Sequence, residues 1–265
     1  MRSITIASAT GSIEVLVADA ATKTSALPAV FVHGMACAAD LWQAQLEQTA
    51  QQRTAIAISL PGHGASAPPS NNDYSPAACA NALFAVMDAL QLESIILVGH
   101  SYGSCVALAA AAAQPHRIAK LILVDPPIDC TQCSPEVYEA QMAPMQQAMV
   151  GEDWRAVLEQ SFRTALTGGT SETQANILAR LNRTAKAALI GTGRELFTFQ
   201  STAALDKYLA SPGAQAHAIL APSNAMPLSL HVLRPALPTT AIPNTSHWLM
   251  LDAPEAFAQA LEAVL

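Results

Sequence analysis

Four short apolar runs, each cut off by a turn, constrain this chain more than any other feature it has. Ala29-Val-Phe-Val32 ends at His33-Gly34, Ala55-Ile-Ala-Ile58 ends just before Pro61-Gly-His-Gly64, Ser94 to Val98 ends at Gly99, and Leu121 to Val124 ends at Asp125-Pro126. Unbroken β-branched runs have no polar face to offer water, so they read as strands of a sheet covered on both sides. Helical patterns separate them. One lies around Leu41 to Thr49, a second opens at Pro76 with Ala80, Leu83, Phe84 and Met87 on one face, and an alanine-rich third stops before Pro115. Strands that alternate with helices need crossover connections, and this predicts an α/β fold: a mostly parallel sheet with helices on both faces.

The two ends of the chain extend this pattern. Ile4 and Ile6, then Ile13, Val15 and Val17, alternate around Thr10-Gly11 and predict an N-terminal hairpin. Strands return at His217 to Leu220 and at Thr239 to Ile242, followed by a closing helix from Pro254 to Leu265. Between Pro126 and about Ala204 the strand signal is missing, and Met142, Met145, Met149, Trp154, Leu158 and Phe162 supply a helical apolar surface. The expected organisation is a core of residues 1–126 and 205–265, with a helical cap, 127–204, inserted in the same domain.

Composition narrows the possible partners. The net charge is −7, from 13 basic and 20 acidic residues, and Lys and Arg form no cluster of the kind nucleic acid or an anionic membrane would require. The most apolar run, Cys105 to Ala113, is nine residues long, whereas spanning a bilayer takes about 20. The N-terminus has a strand pattern rather than the apolar core of a signal peptide. Cys37, Cys79, Cys105, Cys130 and Cys133 are an odd, scattered set that reads as reduced thiols, so a cytoplasmic location is expected. Cys130-x-x-Cys133 has redox or metal spacing but no second pair, and it reads as two thiols at the start of the cap. The expected partner is a small-molecule substrate, and the expected state is a monomer or homodimer.

Chemistry is concentrated at Gly99-His-Ser-Tyr-Gly103, a G-x-S-x-G between a strand and a helix. In that context the glycines allow a tight, strained turn that lifts the Ser101 hydroxyl above the sheet edge, close to a helix N-terminus that favours negative charge. Phe31-Val-His-Gly34, Leu60-Pro-Gly-His-Gly-Ala-Ser66, Val98-Gly-His-Ser-Tyr-Gly103 and Ser246-His-Trp248 follow one another in register. Through these four motifs the chain resembles the α/β-hydrolase family over nearly its whole length.

The resemblance implies that Ser101 is the nucleophile, that His247 is its base, and that the backbone N–H groups of Met35 and Tyr102 form the oxyanion hole. It implies structural roles beside the site for His33 and His100. His63 belongs to the loop after a strand, and His116, His217 and His231 match no motif. The family commonly places its acid after the penultimate strand, where this chain has Asn224, and a neutral amide cannot stabilise an imidazolium. Asp125, at the tip of the strand after the elbow helix, occupies a position some members use for the acid, although aspartate is also a common turn residue before Pro126-Pro127. Asp129 and a Ser–His dyad without an acid remain open. Asp252 and Glu255 flank Pro254 and read as carboxylates that complement the last helix's dipole.

The function expected on this reading is hydrolysis of a neutral carboxylic ester or lactone through an acyl-enzyme on Ser101, with no metal or organic cofactor. A serine nucleophile argues against epoxide hydrolases and haloalkane dehalogenases of this fold, which form their ester intermediate on an aspartate. The apolar cap and the lack of a basic pocket point away from phosphorylated or CoA-linked substrates. Two other readings stay open: a carbon–carbon bond hydrolase or lyase using the same residues, and a non-catalytic ligand-binding protein, suggested by Asn224 where an acid is usual.

Overall fold

A computed structural model describes residues 1–265. Eight strands form one sheet in the order β1-β2-β4-β3-β5-β6-β7-β8. β1 (Arg2–Ser8) and β2 (Gly11–Ala18) form the expected hairpin, and β2 joins β4 (Ala55–Ile58) antiparallel. Every neighbouring pair from there onward is parallel, through β3 (Ala29–Val32), β5 (Ile95–His100), β6 (Ile118–Val124), β7 (Ala216–Leu220) and β8 (Thr239–Ala241). β3, β4 and β5 are buried at every position, as their unbroken apolar runs require.

The helices cover both faces. α1 (Gln43–Thr49) packs against the last helix, α12 (Pro254–Glu262), over one face, where Phe31, Trp42, Leu46 and Phe257 form the core. α2 (Pro76–Ala89) and α3 (Tyr102–Ala113) cover the other face with Leu83, Met87, Val106 and Leu108. Alternation along β3 divides the two cores, Phe31 facing one while Val30 and Val32 face the other. α2 starts where its sequence says it should: the Ser75 hydroxyl accepts the Ala78 N–H at 3.2 Å and Pro76 occupies the first turn.

Several boundaries move. β5 runs on to His100 because Gly99 and His100 pair with Leu123 and Val124, so the elbow begins directly at the strand's end. β6 starts at Ile118, although the half-exposed Ala119 and Lys120 interrupt its apolar run. The closing helix stops at Glu262 and is preceded by a separate short helix, α11 (Leu249–Asp252), with α10 (Leu230–Leu233) further upstream.

The segment between β6 and β7 is helical, as its periodicity predicted. It contains α4 (Pro135–Val137), a wide turn over Tyr138–Met142, α5 (Ala143–Val150), α6 (Trp154–Ala165), α7 (Ser171–Arg183), α8 (Lys186–Glu195) and α9 (Ser201–Leu209). The expected cap edge at residue 204 falls inside α9. That helix lies against α3, with Leu205 and Tyr208 in the core and the Tyr208 hydroxyl donating to the Ile118 carbonyl at 2.9 Å. No helix is long and apolar enough to cross a membrane.

Candidate active site

Ser101 is the link between β5 and α3, and its backbone is strained, with φ 52° and ψ −122°. A non-glycine residue held there costs on the order of 1–3 kcal/mol, which the surrounding packing must offset. The strain falls on the serine itself. The two motif glycines serve close approach instead: a Cβ on Gly99 would lie 2.3 Å from the Gly103 carbonyl oxygen, and one on Gly103 would lie 2.4 Å from that of Val32. The Ser101 N–H donates to Val124 O at 3.0 Å, and its carbonyl accepts the Ser104 N–H at 2.8 Å, which ties the elbow to β6 and starts the helix.

His247 sits in the loop between β8 and α11. Its Nδ1 donates to Asp125 Oδ2 at 2.5 Å, leaving Nε2 to face a proton donor as a base. The two side chains are 19% and 3% exposed, so the pair is largely withdrawn from water. The other oxygen of Asp125, Oδ1, accepts the Ala221 N–H at 2.8 Å and the Asn224 Nδ2 at 3.0 Å. Three donors converge on this one buried carboxylate, and a hydrogen bond to a charged group contributes about 1.5–3 kcal/mol. Asp125 is itself in left-handed backbone, φ 43°, and its carboxylate reaches Ala221, the residue after β7.

The structure brings His247 to Asp125 and takes Asp129 elsewhere. Asp129 Oδ1 accepts the N–H and hydroxyl of Thr131, at 3.0 and 2.6 Å, while Oδ2 accepts the Thr202 N–H at the start of α9 at 2.8 Å. The ring of His247 lies 4.7 Å from that of His100, the residue before Ser101, and His100 Nε2 donates to the His247 carbonyl at 2.9 Å. His247 and Ser101 are thereby joined through His100.

The loop after β3 passes directly over the elbow, since a Cβ on Gly34 would lie 2.8 Å from the Ser101 Cβ. Beyond it Ala36 takes φ 63°, and the Met35 N–H donates to no backbone carbonyl. Tyr102 opens α3, where first-turn N–H groups lack helical acceptors. His33 fastens the loop from below: Nδ1 donates to Gly34 O at 2.7 Å and Nε2 accepts the Leu60 N–H at 2.9 Å. One ring nitrogen donates and the other accepts, so this is a neutral imidazole. Burial keeps it neutral by pulling its pKa well below the usual value, as it does for His100, and it lowers His63 to about 4.

Two residues play parts the sequence did not reveal. Asn224 donates to Oδ1 of Asp125 and helps orient its carboxylate. Asp252 does not serve the last helix's dipole, because its Oδ2 accepts both the N–H and the hydroxyl of Ser246, at 2.8 and 2.5 Å, and its Oδ1 accepts the Thr170 N–H at 2.9 Å. Both bonding patterns join segments far apart in sequence, and no local spacing signals them. Glu255 does lie in the first turn of α12. Cys130 is buried and Cys133 partly so, both as free thiols, and no group of three or more His, Cys, Asp or Glu side chains could hold a metal ion.

The model of the alpha/beta hydrolase fold family matches residues 28–208. Over 102 residues, 37% of its length, the chain is 34% identical to the abhydrolase domain-containing protein abhd-5.2 of Caenorhabditis elegans, covering 23% of that protein. Over 100 residues it is 31% identical to the 2-hydroxy-6-oxo-2,4-heptadienoate hydrolase of Pseudomonas putida, covering 36% of it. The chain thus spans only about a quarter to a third of the lengths of these curated relatives. Among solved structures, it is similar to Est816, described as an N-acyl homoserine lactone degrading enzyme, with a TM-score of 0.80, 18% identity, and 99% and 100% of the two chains covered. At that identity the likeness is one of fold.

Proposed function

Because this chain belongs to the alpha/beta hydrolase fold family, we propose that it is a serine hydrolase that cleaves a neutral carboxylic ester or lactone through an acyl-enzyme on Ser101. The observation that carries this reading is the 2.5 Å bond between His247 Nδ1 and the buried Asp125 carboxylate, which supplies the acid that Asn224 cannot. His247 Nε2 takes the Ser101 proton as the hydroxyl attacks the carbonyl carbon, and the oxyanion is received by the Met35 and Tyr102 N–H groups. The imidazolium, stabilised by Asp125, then protonates the leaving oxygen. Water, deprotonated by the same histidine, releases the acid and restores Ser101.

The preference for a neutral acyl group rests on the thioethers beside the site. Gly193 on α8 leaves room for Met149 and approaches Met35: a Cβ there would lie 2.5 Å from Met149 Cε and 3.8 Å from Met35 Sδ. Flexible, polarisable thioethers suit an apolar chain of variable shape. In this reading the helices within 127–204 cap the site. Equal turnover of acyl-CoA thioesters would overturn the preference.

The test is incubation with a fluorophosphonate beside a Ser101→Ala control, read by intact mass and by the modified peptide. Rapid stoichiometric labelling of Ser101 is expected. Folded protein that takes up no label would shift the reading to a ligand-binding protein on this scaffold. A second enzymatic reading, carbon–carbon bond hydrolysis, is favoured by the likeness to the Pseudomonas putida hydrolase. Cleavage of a vinylogous diketone without any esterase activity would select it.

A further inference from the structure

Helix α7 is fastened at each end to a loop that carries part of the proposed chemistry. At its start, Thr170 N–H donates to Asp252 Oδ1 at 2.9 Å, and Oδ2 of the same carboxylate takes the N–H and hydroxyl of Ser246, the residue before His247. The His247 N–H itself donates to Ala165 O at the end of α6, at 3.0 Å. The Gly168-Gly169 turn between the two helices is pressed onto this loop, since a Cβ on Gly169 would lie 2.8 Å from Ser246 Oγ and 3.0 Å from Asp252 Oδ1.

At the other end, Arg180 forks onto Asp40 at 2.6 and 3.1 Å. One turn further on, the Thr184 hydroxyl is shared between the Arg180 carbonyl at 3.0 Å and the Ala36 carbonyl at 3.3 Å, one residue beyond Met35. A helix of 13 residues is a stiff rod about 20 Å long at 1.5 Å per residue.

We propose that Asp252 and the Arg180–Asp40 pair are positioning residues, and that α7 is a strut that sets the loop of the base and the loop of the Met35 oxyanion donor at one spacing. The inference rests on the reading of Ser101 and His247 as the reacting pair. Neither carboxylate touches the reacting atoms. Each acts by holding its loop to the same rod, so loosening either end lets the two halves of the site drift apart.

The experiment compares Asp252→Asn, Asp40→Asn and the double variant in the full chain, reading the limiting rate of Ser101 phosphonylation, the reagent concentration at half that rate, and the melting temperature. However an amide at position 252 is turned, its NH2 faces an N–H donor, so the start of the strut is released. Each single variant should lose about tenfold in limiting rate while the half-saturating concentration stays within about twofold. The double variant should lose about tenfold as well, because a strut freed at one end no longer transmits position.

Losses that multiply to about a hundredfold in the double variant, or rates equal to wild type, overturn the strut while leaving the hydrolase reading intact. A wild-type chain that takes no label overturns the hydrolase reading and the strut with it. Should Asp252→Asn show no melting transition, Ser246→Ala carries the same comparison, since it removes one donor to the carboxylate and leaves the charge in place.

Discussion

The side-chain amide of Asn224 donates to Oδ1 of Asp125 at 3.0 Å, while its second hydrogen reaches the Pro126 carbonyl at 2.8 Å. Oδ2 is left to His247. The amide thus stands where the family commonly carries its acid and serves Asp125 from there, as a neutral donor that fixes which oxygen faces His247. A second carboxylate at that distance would be a like charge against a buried anion, and one of the two would have to take up a proton.

Replacing Asn224 by Asp should therefore lower kcat/KM by about tenfold or more rather than restore a missing residue. The Asn224→Asp variant should also melt below wild type. Steady-state kinetics on a short-chain ester and a thermal melt check both, and an active, stable variant would show that the amide does not orient the carboxylate.

Asp125→Asn keeps shape and removes charge. Turnover should fall about 10⁴-fold with the circular dichroism spectrum unchanged, because the imidazole loses its partner and its tautomer. A near-normal rate would mean that the acid lies elsewhere.

His33, His63 and His100 are held neutral by burial, with His63 at about 4 and the other two well below their usual value. In the unfolded chain each titrates near pH 6.5. Below that pH the unfolded state binds protons that the folded state refuses, so stability falls as pH drops, and for His63 the decline ends near pH 4. Each histidine contributes a slope of up to about 1.4 kcal/mol per pH unit, and the three together up to about 4. For a chain in the lower part of the usual stability range of about 5–15 kcal/mol, this should bring unfolding between about pH 4 and 5. Guanidinium titrations at pH 7, 6 and 5 measure the slope, and equal stabilities at all three would refute it.

Burial pushes the thiols of Cys37 and Cys130 up to about 11 and that of Cys79 to about 12, and raises Cys105 as well. Only Cys133 among the five is not buried. A thiol reagent at pH 8 should modify Cys133 quickly and the other four only on unfolding, since the thiolate is the reactive form. Peptide mapping after brief alkylation decides this, with rapid modification of Cys79 as the contrary result.

Gly103→Ala would place a methyl group 2.4 Å from Val32 O and 2.6 Å from His33 O, both backbone atoms that cannot swing away. The clash should cost about 1–3 kcal/mol and lower the melting temperature by several degrees. It should also slow Ser101 labelling, because the strand it pushes leads into the loop over the elbow. A variant that melts and labels like wild type would refute the close-approach role.

Much of the architecture was legible along the chain because it is written in local signals. Ala29–Val32 and Ala55–Ile58 read as strands buried on both faces, and the G-x-S-x-G between strand and helix pointed to Ser101 without any knowledge of its neighbours. Asp125 was singled out by the family resemblance, at the tip of the strand after the elbow helix, with Asp129 and a dyad as alternatives. The boundary of α9 did not, since whether Leu205 and Tyr208 face a cap or the core depends on α3 beside them.

By its own periodicity and turn residues, then, the sequence determined the strand–helix order, the parallel sheet and the place of Ser101 at the turn between β5 and α3. Tertiary structure alone decided that Asn224 serves Asp125, that Asp129 caps α9, and that Asp252 joins the His247 loop to α7. The physical reason is that a side-chain hydrogen bond is specific to atoms brought within about 3 Å. Nothing in the spacing of residues 99 or 82 positions apart records that they will meet.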